Sequence, residues 1–178
     1  MLDEKLLMEL QEYVEKHLER LGYVLYEPVR YDSIDTLDTE LDVRHDYIGL
    51  PDTELENFIK DNRKPTFHQI LFSFIDKKGA SDSDVYKSAG VDRRHFSKIR
   101  SNPDYRPGKN TVIALALALE LNKKETDRLL SAAGYSLSES NTFDLIIMFF
   151  LEKKIYDLYS VNQALDYFSQ KPLAGVLE

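Results

Sequence analysis

Along most of the chain, apolar residues recur at three-and-four spacing, the period of helices that bury one face. The first such stretch is 2–21. There Leu6, Leu10, Tyr13, Val14, His17, Leu18 and Leu21 share a face, Glu and Lys fill the other, and Gly22 is placed to end the helix. Tyr23 to Tyr26 (YVLY) loses that period and reads as a short strand before Pro28. Residues 32–52 are acidic, with weak periodicity, and read as a loop containing a helical turn. Asp52 and Thr53, followed by Glu54, Leu55 and Phe58, predict a capped helix to about Asp61. The polar run DNRKP then marks a boundary between an acidic N-terminal segment, 1–62, and a second unit, 63–178.

The second unit is more sharply punctuated. Thr66 opens a helix whose Phe67, Ile70, Leu71, Phe74 and Ile75 share a face, and Gly79 ends it. Ser81 opens SDVYKSAG, which ends at Gly90, and Asp92 opens RRHFSKIRS. Two prolines and a glycine keep NPDYRPGK from being helical throughout. Asn110 or Thr111 caps VIALALALEL, which has almost no polar face and belongs at the centre of a core. Asn122 caps KKETDRLLSAA, which Gly134 stops. Two further helices span roughly Thr142–Lys153, with Phe143, Ile146, Ile147 and Phe150, and Val161–Ser169, capped by Ser160. The fold class is therefore mainly α.

Composition narrows the picture. At 178 residues the chain is long enough for one ordinary domain or two small ones, and 43% hydrophobic with 30% charged residues reads as globular. Without cysteine there are no disulfides, thiolate metal sites or cysteine nucleophile. The longest apolar run, Leu145 to Leu151, falls far short of a bilayer span, and MLDEKLLMEL is acidic where a secretory signal is basic, so a cytoplasmic, membrane-free protein is expected. The net charge of −8 argues against nucleic acid until its distribution is considered. Residues 1–62 hold 6 Lys and Arg against 17 Asp and Glu, whereas 63–178 hold 17 against 14. Within 85–110, Lys87, Arg93, Arg94, Lys98, Arg100, Arg106 and Lys109 face only Asp92 and Asp104.

That basic window coincides with a pair of short helices. Gly90 sits at the turn between them. Val85 and Ala89 lie on the inner face of the first, Val91 plugs the turn, and Phe96 and Ile99 lie on the inner face of the second. In these residues the chain resembles the repressor/Cro-type (XRE-like) helix-turn-helix family, over about 70 residues ending in AAGY (Ala132–Tyr135). The resemblance implies a five-helix lambda-repressor-like domain, here with additional C-terminal helices and the acidic, partly helical N-terminal segment. It departs from the family in having Tyr86 where alanine is usual and Ala89 where a larger aliphatic is usual, and in a longer loop after the second helix.

By that resemblance the second helix reads base edges in a major groove, where all four base pairs are distinguishable. Arg93, Arg94, Ser97 and Lys98 are the base-reading candidates. Arg100, Asn102, Tyr105, Arg106 and Lys109 are the phosphate-binding ones, and Asp92 is a helix cap. The competing reading has these cations solvating an exposed helix and pairing with the acidic half. Residues 67–173 also resemble a C-terminal helical module found behind varied N-terminal domains in bacterial proteins, macro domains among them. This second resemblance implies a portable adaptor and carries no activity with it.

Other chemistry is sparse. His17, His45, His68 and His95 lie on separate elements without metal-ligand spacing. Asp35, Asp38, Asp42, His45 and Asp46 are the best metal candidates, yet an EF-hand glycine and a bidentate Glu are absent, so a solvated acidic loop is the simpler reading. Among seven glycines there is no phosphate-cradling loop and no GxSxG elbow. Tyr13, Tyr156, Tyr159 and Tyr167 stand at helical spacing with aliphatics and suit a core or a dimer contact. The expectation is a non-enzyme without cofactor or metal: a bacterial or phage DNA-binding regulator acting on duplex DNA as a homodimer. The dimer seam would come from the apolar faces of helices 2–21 or 142–169. The alternative is a protein–protein interaction module, adaptor or phage-type inhibitor, on the same scaffold, with the acidic segment as its contact.

Overall fold

A computed structural model of the chain describes residues 3–26 and 52–173, and among the described residues every element is an α-helix. In chain order these are α1 (Glu4–Tyr26), α2 (Asp52–Asn62), α3 (Phe67–Lys78), α4 (Asp82–Ser88), α5 (Arg93–Ser101), α6 (Lys109–Ala118), α7 (Lys123–Ala132), α8 (Thr142–Lys153) and α9 (Leu158–Tyr167). The acidic stretch up to residue 51, with the metal candidates Asp35, Asp38, Asp42, His45 and Asp46, lies outside the described residues.

Caps written into the sequence set most helix ends. Thr66 and Gln69 form a reciprocal capping box on α3, and Asn122 and Glu125 form one on α7, each satisfying two otherwise orphaned N–H groups. Ser81 accepts from the Asp84 N–H, and Asp92 accepts from Arg94 N–H at 2.7 Å. At the end of α4, Gly90 N–H donates to Lys87 O at 3.1 Å and Val91 N–H to Tyr86 O at 2.8 Å. This crossed pair requires a left-handed residue between helix and exit, and Gly90, at φ 59°, supplies it without steric cost.

The core has two centres. In α6 every side chain from Val112 to Leu117 is buried, and in α8 every one from Asp144 to Leu151. A helix apolar all round must be surrounded. α4, α7 and α9 pack on α6, while α1, α7 and α9 pack on α8. α3 completes the first cluster by lying on α7.

Three elements differ from the sequence reading. α1 does not stop at Gly22, and YVLY continues the helix rather than forming a strand. Extending a formed helix adds one hydrogen bond per residue fixed, and a single glycine costs only about 1 kcal/mol, so neither signal is strong enough to end it. α6 begins at Lys109, not at Asn110 or Thr111. Buried Pro107 fixes the approach, and Gly108 is the N-cap without any side-chain acceptor. α9 begins at Leu158, because Asp157 takes the cap and accepts from both the N–H (2.8 Å) and the hydroxyl (2.7 Å) of Ser160. Those bonds hold the Asp157 carboxyl below its usual range.

Residues expected at a dimer seam also make contacts within the chain. Leu10 and Val14 of α1 are buried in the same cluster as α8, and Tyr13 meets Phe149 edge-on at 5.3 Å. Part of the two apolar faces expected at an intermolecular contact packs together within one chain, while Leu18 of α1 and Tyr159 and Tyr167 of α9 stay exposed. Lys153 of α8 pairs with Glu9 of α1, and this ion pair holds the Glu9 carboxyl below its ordinary range. Of the tyrosines, Tyr13 and Tyr156 are half-buried, whereas Tyr159 and Tyr167 are exposed, the latter accepting from Gln11 Nε2 at 2.7 Å.

Candidate nucleic-acid interface

α4 and α5 meet across a small core built from the residues that the sequence marks for it. Val85, Ala89, Val91, Phe96 and Ile99 are all less than a tenth exposed. The unusual pair at Tyr86 and Ala89 is accommodated by exchange. Ala89 is fully buried, leaving room for Tyr86 to lie half-buried with its ring 5.8 Å from that of Phe96. On its other flank Phe96 meets Phe72 of α3 edge-on at 6.3 Å. These contacts fix the rotation of α5 about its own axis.

With Phe96 and Ile99 turned inward, helical periodicity places Arg94, Ser97, Lys98 and Ser101 on the outward face and Arg93 on its flank. All five are exposed. Neither Arg93 nor Arg94 forms an ion pair among the described residues. Ser101 is the one outward position that the sequence reading omitted, although the same period locates it.

The expected phosphate contacts divide. Arg106 is exposed. Asn102 shapes the loop instead: its side chain accepts from Asp104 N–H at 3.1 Å and its carbonyl from Tyr105 N–H at 3.0 Å. Tyr105 folds back against α5, with its hydroxyl 3.3 Å from His95 Nε2 and the Lys98 ammonium 4.3 Å from its ring centroid. Arg100, though exposed, is engaged by α3 and α4. Its Nε stands 3.4 Å from Asp82, its guanidinium lies 4.2 Å from the Phe72 ring centroid, and its carbonyl accepts from His68 Nε2 at 3.0 Å.

Lys109 departs furthest from the role expected of it. Its ammonium lies 2.7 Å from Asp144 Oδ2, with the lysine side chain 28% exposed. Asp144, only 2% exposed, also accepts from Ser138 N–H at 2.9 Å, and its own N–H is capped by Asn141. Nothing local marks this pair, since Lys109 and Asp144 are 35 positions apart and each looks like an ordinary helix-start residue.

Among the described residues, no three His, Asp or Glu side chains stand close enough to share a metal ion, and no helix is long and apolar enough to cross a membrane. His17 donates to the Tyr13 carbonyl at 2.8 Å, so His17, His68 and His95 each have a partner in the fold. No protein-family model, curated protein or solved structure matches the chain.

Proposed function

We propose that the chain is a sequence-selective DNA-binding regulator of the bacterial or phage cytoplasm, in which α3 to α7 form a repressor-type module and α5 enters the major groove. The observation that supports this reading is the outward face of α5: Arg94, Ser97 and Lys98, with Arg93 beside them, are exposed opposite the buried Phe96 and Ile99. Arginine is the best bidentate partner for guanine, which assigns base reading first to Arg94 and then to Arg93. Lys98 leaves the Tyr105 ring to reach a base edge. Arg106 holds phosphate, and Arg100 and Asn102 act indirectly by setting the tilt of α5 and the course of the loop after it. Such modules commonly act as dimers, because one recognition helix covers half a site.

The test is selection of duplexes bound by the full chain, followed by titration at several salt concentrations. A selected sequence bound with a steep salt dependence is expected. Arg94→Ala should cost about 1–3 kcal/mol and relax preference at one position, and adding Lys98→Ala should weaken binding further. No enrichment at low salt would refute the reading.

A second reading, a protein-binding module on the same scaffold, is favoured by one feature. Leu55, Phe58 and Ile59 share a face of α2 and are each at least half exposed. Under that reading no duplex is selected, and charging this strip by Phe58→Glu abolishes capture of the partner.

A further inference from the structure

We propose that a cleft bounded by the α2–α3 connection, the loop after α5 and α7 binds a compact ligand carrying clustered phosphates, of nucleotide size. The cleft has a volume of about 950 Å³, within the range of small-molecule sites. Lys60 comes from the end of α2, Arg63 and Lys64 from the connection, Arg106 from the loop and Arg128 from α7, and Asp104 is the one carboxylate lining it among the described residues.

Elsewhere on this acidic protein some cations are matched by carboxylates, as Lys77 is with Glu125, Arg100 with Asp82, Lys109 with Asp144, Lys123 with Glu152 and Lys153 with Glu9, while others, Arg93 and Arg94 among them, are not matched among the described residues; what sets the cleft apart is five cations converging on one concavity. None of the five cleft cations takes part in an ion pair among the described residues, and all five are exposed. Like charges set around a concavity repel one another, and the low-dielectric walls focus their field into the hollow. A multiply charged anion relieves that repulsion, and arginine adds paired N–H donors suited to phosphate.

The shape selects a compact ligand over a duplex. A duplex is convex and offers its phosphates to a rim, whereas these cations surround a hollow. Pro65, Pro103 and the half-buried Tyr105 add apolar surface against which a flat heterocycle can pack. Tyr105 also joins the cleft to α5, since it lies beneath the Lys98 ammonium and against His95. A ligand that engages Arg106 and Tyr105 therefore acts on the α5 surface, a consequence that rests on the function proposed above. Binding itself does not rest on it.

The chain has no tryptophan, so calorimetry is the suitable measurement. The full chain is titrated with inorganic tripolyphosphate and, separately, with ATP at roughly 0.15 M salt. Saturable one-to-one binding of both is expected, tighter for ATP if the heterocycle packs. Equal affinities assign the site to the phosphates alone. Arg63→Glu with Arg128→Glu should weaken binding at least about tenfold, while the charge-matched control Lys16→Glu with Lys124→Glu, exposed and outside the cleft, should leave it unchanged. Circular dichroism confirms that both variants fold. No saturable heat with either ligand overturns the proposal, and so does equal weakening by the two variants. Tripolyphosphate binding in a chain that selects no duplex leaves this site standing while the α5 reading falls, and the converse separates the two the other way.

Discussion

Lys109→Ala should destabilise the protein more than Asp144→Ala, although both remove the same ion pair. The pair is asymmetric in burial, with the Lys109 side chain 28% exposed and that of Asp144 3%. Without the ammonium, the carboxylate stays buried with one N–H donor, from Ser138 at 2.9 Å, and Oδ1 accepts no hydrogen bond among the described residues. Stranding a buried charge costs about 3–5 kcal/mol, and the partial exposure of Lys109, which admits water to the gap, puts this case near 3 kcal/mol. Without the carboxylate, the lysine head reaches water, and what is lost is an acceptor for Ser138, worth about 1–2 kcal/mol. The double variant leaves no stranded charge and should match Asp144→Ala, which gives a coupling of about 3 kcal/mol for the pair, the full cost of Lys109→Ala. Urea denaturation at neutral pH, followed by far-UV circular dichroism, measures all four corners of the cycle. Equal single costs that simply add in the double variant would refute the reasoning and make the pair an ordinary surface contact. The pair also bears on the interface, because Lys109 directly follows the loop that carries Tyr105 back onto α5.

Two further predictions concern α1. Leu10 is fully buried in the cluster that includes α8, so Leu10→Ala should cost about 2–4 kcal/mol in the same urea assay; a loss below about 0.5 kcal/mol would mean that α1 contributes little to the core. Burial, followed by the nearby Glu152 carboxylate, pushes the Tyr13 phenol up to about 12 from an ordinary 10.0. The folded state resists its ionisation, so the stability contribution is complete below the unfolded value and is lost as pH rises from about 10 toward 12. Tyr13→Phe should flatten the alkaline limb of the denaturation midpoint, and an unchanged limb would show that another group controls it.

Helix punctuation was legible where a side chain and a backbone group interact within four residues. Thr66, Ser81, Asp92 and Asn122 cap the helices expected of them, and Gly79, Gly90 and Gly134 take left-handed backbone at the expected ends. Legibility failed where a cap competed with longer-range demands. Ser160 yielded to Asp157, and Gly22 was overridden within α1. The inner face of α5 was readable because Phe96 and Ile99 obey a single period. The assignment of cations was not, since periodicity says that a side chain points outward without saying what it meets. Arg100 meets Phe72 and Asp82, Lys109 meets Asp144, and the cleft joins cations from four separate elements.

The net charge of −8 is spread unevenly, and among the described residues packing commits part of it. α1, with its row of Glu, meets the bundle at α8, where Glu9 engages Lys153 and, nearby, Glu152 engages Lys123. α5 meets the bundle through α4 and the rings of α3. Glu9 and Glu152 are each matched by a lysine, and exposed charges more than about 8 Å apart are largely screened at physiological salt, so these two carboxylates add little long-range negative field. The local basic excess also overstates that field, because Arg100 and Lys109 are matched by Asp82 and Asp144. Arg93, Arg94 and Lys98 on α5, and the five cations of the cleft, are in no ion pair among the described residues. Tyr105 lies between the two groups and Arg106 is shared by both proposed roles, so Tyr105→Ala or Arg106→Ala should disturb both, whereas substitutions at Arg63 and Arg128 alone should leave duplex binding intact.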